Sequence, residues 1–174
     1  MAKLTRKEII SKLKPIKLVI LDVDGVLTND SIYIGPGGRE YKQFHVSDGL
    51  AIRLVAKLGI ETAVISGRYA EATEVRMAEL KVPHRYYDIG KMACFDDLLK
   101  KTGFKTSQTV FMGNDILDID VMKKAALGIC PSNAEPEVVR IADYRTKRAG
   151  GQGAVRDLYE LMALAHGKKL VDLL

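Results

Sequence analysis

The sequence predicts an α/β protein built on a three-layer, doubly wound parallel sheet. Two observations carry this prediction: strand-like and helical segments alternate along the whole chain, and most of the strand segments are continuous apolar runs. Strands buried on both faces are apolar throughout, and helices that cover both faces of a parallel sheet produce this alternation. The length of 174 residues fits a single domain that spans residues 1–174.

The N-terminal half begins with a capping box, Thr5 to Glu8, which opens a short helix. The apolar run Ile16–Leu21 is the first strand. The turn sequence Gly35–Gly38 joins two short strands, Ser31–Ile34 and Glu40–Phe44, so a small β-hairpin insertion is expected at about residues 29–45. The other elements of this half are a helix capped by Asp48 and ended by Gly59, a strand over Thr62–Ile65 and a helix over Ala70–Leu80.

The C-terminal half continues the alternation and contains no internal repeat or linker. Its predicted elements are a strand Arg85–Tyr87, a helix Lys91–Lys101, a strand Thr109–Met112, a helix Ile116–Ala126, a strand Leu127–Cys130, a helix opened by a capping box Ser132–Glu135 and running through Ile141, a short strand near Tyr144 and a last amphipathic helix from about Val155 to Ala165.

Composition restricts the class of partner. The net charge of +5 comes from scattered Lys and Arg residues without an aromatic–basic signature, so we expect a small anionic substrate and no nucleic acid. No apolar run approaches the ~20 residues of a membrane span, and the N-terminus lacks the apolar centre of a signal peptide. The two cysteines, Cys94 and Cys130, suit free thiols in a reducing cytoplasm.

Polar residues follow four of the predicted strands at the point where each strand ends. In a parallel sheet these ends share one rim, which is where such sheets bind ligands. Unpaired charges at a strand end cost free energy, so a pair of aspartates there indicates a metal site, a nucleophile or both. The residues at this rim are Asp22, Asp24, Ser66, Lys91, Asn114, Asp115 and Asp118.

These residue types fit phosphoryl transfer. Ser66 and Lys91 can bind phosphoryl oxygens, and Asp22 can attack phosphorus to form an aspartyl-phosphate. Asp24 lies on the same side of an extended strand and can act as general acid and base. Mg²⁺, the expected cofactor, prefers oxygen ligands, which suits Asp22 together with Asn114 or Asp115. Asp115 alternatively serves only as a helix cap.

The four motifs in this order resemble the haloacid dehalogenase (HAD) superfamily of phosphatases. The matching segments are Asp22–Val26, Ser66, Lys91 and Gly113–Asp118. The resemblance implies a HAD-like Rossmannoid fold, with Asp22 as nucleophile and Asp24 as acid/base. It also implies that Mg²⁺ is held by the Asp22 carboxylate, the Asp24 carbonyl and Asn114. We expect Asp118 to support these residues without binding the metal directly.

A closer resemblance, to the capless branch of that superfamily, rests on further segments: Asp24–Thr28, Phe44–Gly49, Ile65–Arg68 and Gly150–Ala154. It implies a homotetramer without a cap domain, in which hairpins assemble at the interface and neighbouring subunits close the sites. The implied substrate is a 2-keto-3-deoxy sugar-acid phosphate, 3-deoxy-D-manno-octulosonate 8-phosphate, and the implied role lies in lipopolysaccharide biosynthesis. The implied substrate contacts are His45, Val46, Ser47, Asp48, Gly49, Arg68, Arg76 and Lys91.

Two residues depart from the octulosonate phosphatases, which usually carry an aspartate at the position of Asn114 and an arginine at that of Ser47. Asn114 removes one negative charge from the expected metal site. The departures leave two alternatives open. One is a phosphatase of acylneuraminate or deaminoneuraminate 9-phosphate, and the other is a weakly active oligomerisation module related to acylneuraminate cytidylyltransferases.

Overall fold

The computed structural model describes residues 3–174. The strands in this part of the chain are β1 (Leu18–Leu21), β2 (Tyr33–Ile34), β3 (Glu40–Tyr41), β4 (Glu61–Ser66), β5 (His84–Tyr87), β6 (Thr109–Met112), β7 (Leu127–Cys130) and β8 (Tyr144–Arg145). The helices are α1 (Arg6–Leu13), α2 (Val46–Val55), α3 (Glu71–Glu79), α4 (Lys91–Thr102), α5 (Ile119–Lys124), α6 (Pro136–Ile141) and α7 (Ala154–Ala165).

Six strands form one parallel sheet in the order β5-β4-β1-β6-β7-β8. The first strand, β1, lies inside the sheet, where it pairs with β4 on one side and β6 on the other. From β1 the chain builds one half of the sheet through β4 and β5 and then crosses back to build the other half. The strand order therefore reverses beside β1, and the crevice at such a switch point is where doubly wound sheets bind ligands.

Helices cover both faces of this sheet, which confirms the predicted three-layer α/β architecture. Successive side chains of β1 enter opposite cores: Val19 and Leu21 pack with α1, α2 and α7, whereas Leu18 and Ile20 pack with α4, α5 and α6. All four of these side chains are fully buried, which explains why the strand is apolar without interruption.

The predicted hairpin is present as the antiparallel pair β2 and β3, in which Tyr33 lies opposite Tyr41 and Ile34 opposite Glu40. A short 3₁₀ turn over Pro36–Gly38 joins them. The strands are shorter than the sequence predicted. Ile32, Tyr33, Ile34 and Tyr41 leave large apolar surfaces exposed on the hairpin.

Three predictions about helix starts have different outcomes. The capping box from Thr5 to Glu8 is confirmed. The prediction that Asp48 caps α2 is wrong, because the helix begins at Val46 and Asp48 lies in its first turn. The capping box Ser132–Glu135 is also wrong: α6 begins at Pro136 without a side-chain cap.

The single helix predicted over residues 116–126 is instead two elements, because a 3₁₀ turn over Ile116–Asp118 precedes α5. Asp118 forms a capping box with Asp115 at this turn. Among the described residues, no helix combines the length and apolarity that a membrane span requires.

Candidate active site

Asp22 is the first residue beyond β1, and its backbone N–H continues the ladder by donating a 3.0 Å hydrogen bond to the carbonyl of Met112. Its side chain is buried, with 6% of the residue surface exposed. The carboxylate atom Oδ1 has no hydrogen-bond partner among the described residues, although Lys91 Nζ lies 3.1 Å away. The two groups therefore form a buried ion pair at the end of β1.

Lys91, the first residue of α4, lies between two buried carboxylates. Its amine donates a 2.6 Å hydrogen bond to Asp118 Oδ1 and pairs with Asp22. Burial acts to lower the pKa of Lys91, but the charges of Asp22 and Asp118 outweigh it and raise that pKa. Lys91 is therefore a permanently charged group at the centre of the site.

Asp118 contacts both Lys91 and the loop that follows β6. It is fully buried, and its Oδ2 accepts hydrogen bonds from the backbone N–H groups of Asn114 at 2.9 Å and Asp115 at 3.2 Å. One carboxylate thus fixes both Lys91 and the loop that follows β6. The Asp115 side chain is exposed and caps the N–H of Ile116, so its capping role is borne out.

Asn114 points its amide into the site across the loop that follows β1. Its Nδ2 lies 3.3 Å from Asp30 Oδ2 as donor, and its buried Oδ1 has no partner among the described residues. A Cβ placed on Gly25 would lie 1.9 Å from Asn114 Nδ2, and Gly25 has φ +78°. Glycine is required at position 25 on both counts.

Asp24 belongs to a ring of four alternating charges at the mouth of the site. Lys42, which follows β3 of the hairpin, donates to Asp24 Oδ1 and pairs with Glu40 at 3.2 Å. Glu40 in turn binds Arg68 through both carboxylate oxygens. Arg68 completes the ring, with its NH1 atom 3.8 Å from Asp24 Oδ2.

A cavity of about 220 Å³ opens above Asp22 at this rim of the sheet. Seven residues that the sequence predicted line it together, and the strand-end argument is borne out to that extent. Buried Ser66, at the end of β4, is one of them. The complete lining is Asp22, Asp24, Asp30, Ser66, Gly67, Arg68, Lys91, Asn114, Asp115 and Leu117.

The segment His45–Gly49 and Arg76 do not line this cavity within one chain. Ser47 Oγ lies 2.8 Å from His45 Nδ1, and Val46 is exposed. The Arg76 guanidinium packs on Gly49 and pairs with Glu79 at 2.7 Å, in a neighbouring groove between the hairpin and α3. A contact between these residues and a substrate bound above Asp22 stays a prediction.

Asp48 is 1% exposed, and its Oδ1 accepts a 2.6 Å hydrogen bond from the backbone N–H of Arg156 in the first turn of α7. This side chain ties α2 to α7. Burial raises the pKa of Asp48, and the hydrogen bond from Arg156 only partly offsets it.

The glycine segment before α7 packs against the loop that follows β1 in the same chain. A Cβ on Gly150 would lie 1.8 Å from the carbonyl oxygen of Gly25, and the N–H of Gly151 donates a 3.1 Å hydrogen bond to the carbonyl of Val26. Asn133 accepts from the N–H of Gly150 at 2.9 Å. These glycines therefore brace the loop that carries Asp24.

Sequence reasoning missed Asp30, Lys42 and Glu40 as parts of the site. Asp30 lies nine residues beyond β1 with φ +69°, and no strand-end pattern marks it. Burial, followed by the charges of Asp24 and Asp115, raises the pKa of Asp30. Lys42 and Glu40 lie on the hairpin, and their charges resemble those of any exposed strand edge.

The charges at the floor of the site leave room for a cation. The single positive charge of Lys91 balances only one of the two carboxylates, Asp22 and Asp118. Burial raises the pKa of Asp22, and the charge of Asp118 adds to this effect, while Lys91 opposes it only partly. The excess negative charge at Asp22 can be relieved by a proton or by a metal ion. The two buried oxygens without partners, Asp22 Oδ1 and Asn114 Oδ1, are hard ligands of the kind Mg²⁺ prefers.

Residues 3–174 contain no group of three or more His, Cys, Asp or Glu side chains that could by themselves bind a metal ion. Mg²⁺ commonly takes one or two carboxylates and completes its shell with water and other oxygens. The donor set of Asp22, Asn114 and the Asp24 carbonyl therefore fits Mg²⁺.

The sequence is similar to those of known phosphatases. Residues 87–157 match the family of haloacid dehalogenase-like hydrolases. The 3-deoxy-D-manno-octulosonate 8-phosphate phosphatase of Escherichia coli K12 is 42% identical over 162 residues, which cover 92% of this chain and 86% of that protein. The phosphatase of the same name from Yersinia pestis is 35% identical and covers 92% of this chain.

Solved structures agree with this similarity in fold. The crystal structure of the Moraxella catarrhalis 3-deoxy-D-manno-octulosonate 8-phosphate phosphatase, in complex with magnesium, phosphate and the sugar acid, superimposes with a TM-score of 0.88 at 35% identity. That match covers 91% of this chain and 92% of the other. The cobalt-bound phosphatase from Haemophilus influenzae gives a TM-score of 0.87 at 32% identity, over 90% and 92% of the two chains.

Proposed function

We propose the function of this chain from one premise: it belongs to the haloacid dehalogenase-like hydrolases, and among them to the family of 3-deoxy-D-manno-octulosonate 8-phosphate phosphatases. It is a Mg²⁺-dependent phosphatase that hydrolyses this sugar-acid phosphate to 3-deoxy-D-manno-octulosonate and inorganic phosphate. The observation that carries the chemistry is the buried carboxylate of Asp22, which lies beside Lys91 at the floor of the cavity.

We assign Asp22 as the nucleophile because its carboxylate lines the floor of the cavity beside the Lys91 cation. In the first step a carboxylate oxygen of Asp22 forms a bond to phosphorus while the bond from phosphorus to the sugar oxygen breaks. Asp24 gives its proton to that leaving oxygen, which departs as an alcohol. Asp24 suits this role better than nucleophilic attack, because Lys42 already occupies its Oδ1.

In the second step a water molecule attacks the phosphorus of the aspartyl-phosphate. Its proton passes to the carboxylate of Asp24, and the bond between phosphorus and Asp22 breaks. Inorganic phosphate leaves, and both aspartates return to their starting state. Through both steps Lys91 and Ser66 bind the phosphoryl oxygens, and the charge of Lys91 stabilises the negative charge that develops there.

Bound Mg²⁺ would be held by the Asp22 carboxylate, the Asp24 carbonyl and Asn114, and it would neutralise charge on the phosphoryl group. The residues Asp22, Asp24 and Asn114 all line the cavity. Two of their oxygens, Asp22 Oδ1 and Asn114 Oδ1, otherwise remain without hydrogen bonds. Asp115 is the less suitable ligand because its Oδ1 already caps the turn that begins at Ile116.

The substrate carries a carboxylate as well as a phosphate, and we propose that Arg68, which lines the cavity, binds that carboxylate. Arg76 and the segment His45–Gly49 lie outside the cavity of their own chain. We propose that they act on the substrate in a homotetramer of capless single-domain subunits, in which the exposed hairpin residues pack together. The expected location is the cytoplasm, with a place in lipopolysaccharide biosynthesis.

The assay that tests this function compares three substrates with purified protein and Mg²⁺. We expect kcat/KM for 3-deoxy-D-manno-octulosonate 8-phosphate to exceed that for an acylneuraminate 9-phosphate and that for 4-nitrophenyl phosphate. A higher value for the acylneuraminate ester would instead assign the related nine-carbon phosphatase. Absence of turnover, together with no binding of vanadate in the presence of Mg²⁺, would indicate an oligomerisation module.

A further inference from the structure

The side chain of Lys42 is almost fully buried, with 1% of its surface exposed, although it starts from a hairpin whose other side chains are largely exposed. Placing a lysine amine out of water is costly unless opposite charges surround it. Here it contacts Asp24 Oδ1 and lies 3.2 Å from Glu40 Oε1. The hairpin thus inserts one buried cation into the active site of its own chain.

Glu40 connects the two cations at the mouth. It binds Lys42 through Oε1 and both nitrogens of the Arg68 fork. Burial acts to raise the pKa of Glu40, but the contacts with Arg68 and Lys42 outweigh it and lower that pKa. Glu40 therefore stays charged and fixes the geometry of the ring.

The two oxygens of Asp24 have different surroundings. Oδ1 is engaged by Lys42, whereas the nearest cation to Oδ2 is Arg68 NH1 at 3.8 Å, beyond hydrogen-bond distance. Because Lys42 is immobilised by burial and by Glu40, the carboxyl group of Asp24 cannot rotate without losing its contact with the Lys42 amine. Oδ2 is the oxygen left to exchange a proton with a substrate in the cavity.

We propose that Lys42 is a positioning residue for the phosphatase reaction: it holds Asp24 Oδ1, so that Oδ2 faces the leaving oxygen, and Glu40 holds Lys42 in place. This inference rests on the proposed function. It gives the hairpin a role inside the active site of its own chain, separate from any role in assembly.

Leaving-group dependence tests this role, because a structural role would affect all substrates alike. The sugar alkoxide needs a proton to leave, whereas 4-nitrophenolate leaves without one. The quantity to compare is kcat/KM, because it includes only the steps up to release of the first product, the sugar alcohol. Loss of general-acid catalysis costs ~10²–10⁴-fold, so we expect Lys42→Met to lower kcat/KM for the sugar-acid phosphate about 100-fold and that for 4-nitrophenyl phosphate less than about 3-fold.

Two controls accompany this variant. Lys42→Arg keeps the charge and should recover most of the loss. Lys101→Met removes a lysine from an exposed 2.8 Å pair with Asp97 on α4 and should leave both rates unchanged. If Lys42→Met does not fold, Glu40→Gln, which removes the group that holds Lys42, should show the same selectivity for the sugar ester with a loss of roughly 10-fold.

Equal losses on both esters, or no loss on either, would overturn the positioning role while the wild-type rates still support the proposed function. A wild-type protein that hydrolyses neither ester would contradict the function itself, and the inference would fall with it.

Discussion

Lys91 Nζ donates a 2.6 Å hydrogen bond to Asp118 Oδ1, and both side chains are almost completely buried. This pair joins the start of α4 to the loop after β6, two segments that meet only because their strands lie on either side of β1. Because Asp118 also accepts two backbone N–H groups of that loop, the pair fixes the floor of the active site.

Lys91→Met should destabilise the protein strongly, since it leaves Asp22 and Asp118 as buried charges without a cation. Removing one partner from a buried pair typically costs ~3–5 kcal/mol. Urea unfolding measures the free energy of unfolding. The double variant Lys91→Met/Asp118→Asn should recover part of the loss, because it removes one of the abandoned charges. Additive losses in the double variant would show that the two side chains do not act as a pair.

Asn114→Asp should tighten Mg²⁺ binding, because it adds a negative charge to the proposed ligand set. Replacing a neutral ligand by a carboxylate is expected to raise the affinity roughly 10-fold. The Mg²⁺ dependence of thermal unfolding reports it without an activity assay. Asn133→Asp, which adds the same charge beside Gly150, is the control. An unchanged Mg²⁺ dependence would show that Asn114 does not bind the metal.

Without Mg²⁺, Asn114→Asp should lower stability. The new carboxylate would face Asp30 in place of the amide that now donates to it at 3.3 Å. The variant Asn114→Asp/Asp30→Asn should restore a donor and relieve the repulsion. If the metal-free Asn114→Asp protein is as stable as the wild type, the contact between residues 114 and 30 does not contribute to stability.

Asp48 predicts a pH dependence of stability. Its pKa in the folded protein is raised above the ordinary value of 3.8, so the folded state holds this proton more tightly than the unfolded chain does. The resulting stability is complete below the ordinary pKa and is lost as the pH rises through the raised one. Asp48→Asn retains an acceptor for the Arg156 N–H without this titration.

Wild-type protein should therefore lose stability relative to Asp48→Asn as the pH rises above the ordinary pKa of 3.8, as measured by urea unfolding. Asp120→Asn, at an exposed position on α5, is the control for the loss of one carboxylate. If the difference in the free energy of unfolding between wild type and Asp48→Asn does not change with pH, or if the wild type becomes relatively more stable as the pH rises, burial does not raise the pKa of this carboxyl. Asp48→Ala should be about 1 kcal/mol less stable than Asp48→Asn at any pH, because α7 loses its acceptor.

Most of the fold and the floor of the site follow from local sequence patterns. The apolar β1 and the acids behind it, Asp22 and Asp24, predict a buried parallel strand with chemistry at its end, and the structure has both. Residues such as Lys42 and Glu40 escape prediction because their importance comes from tertiary folding. The hairpin folds over Asp24, and nothing within the hairpin sequence encodes which carboxylate its lysine meets.

Helix starts show the same limit. The motif Ser132–Glu135 has the residues of a capping box, but Asn133 within it instead accepts from the N–H of Gly150. Asp48 likewise binds the first turn of α7 rather than its own helix. In both cases the side chain accepts a hydrogen bond from a residue distant in sequence instead of from its own helix start. Such a partner cannot be predicted from the local sequence.

Gly150→Ala should disturb the active site through the loop that carries Asp24. Its methyl group would meet the carbonyl oxygen of Gly25 at 1.8 Å, so the loop must move. Overpacking of this kind costs ~1–3 kcal/mol, and we expect a lower kcat for phosphate release as well. Gly59→Ala is the matched control: its methyl group would meet nothing within 4 Å, although φ is +72°. It should lower stability without lowering kcat. Equal kcat values for the two variants would show that Gly150 does not hold the loop of Asp24 in its active position.

The most direct test of the central claim is phosphate release from 3-deoxy-D-manno-octulosonate 8-phosphate by wild-type protein and by Asp22→Asn, both with Mg²⁺. Asparagine keeps the shape of the side chain but removes the nucleophilic carboxylate, so the variant should fold as the wild type does. The account predicts rapid turnover by the wild type and none above background by Asp22→Asn. Substantial turnover by a folded Asp22→Asn protein would contradict covalent catalysis at the end of β1.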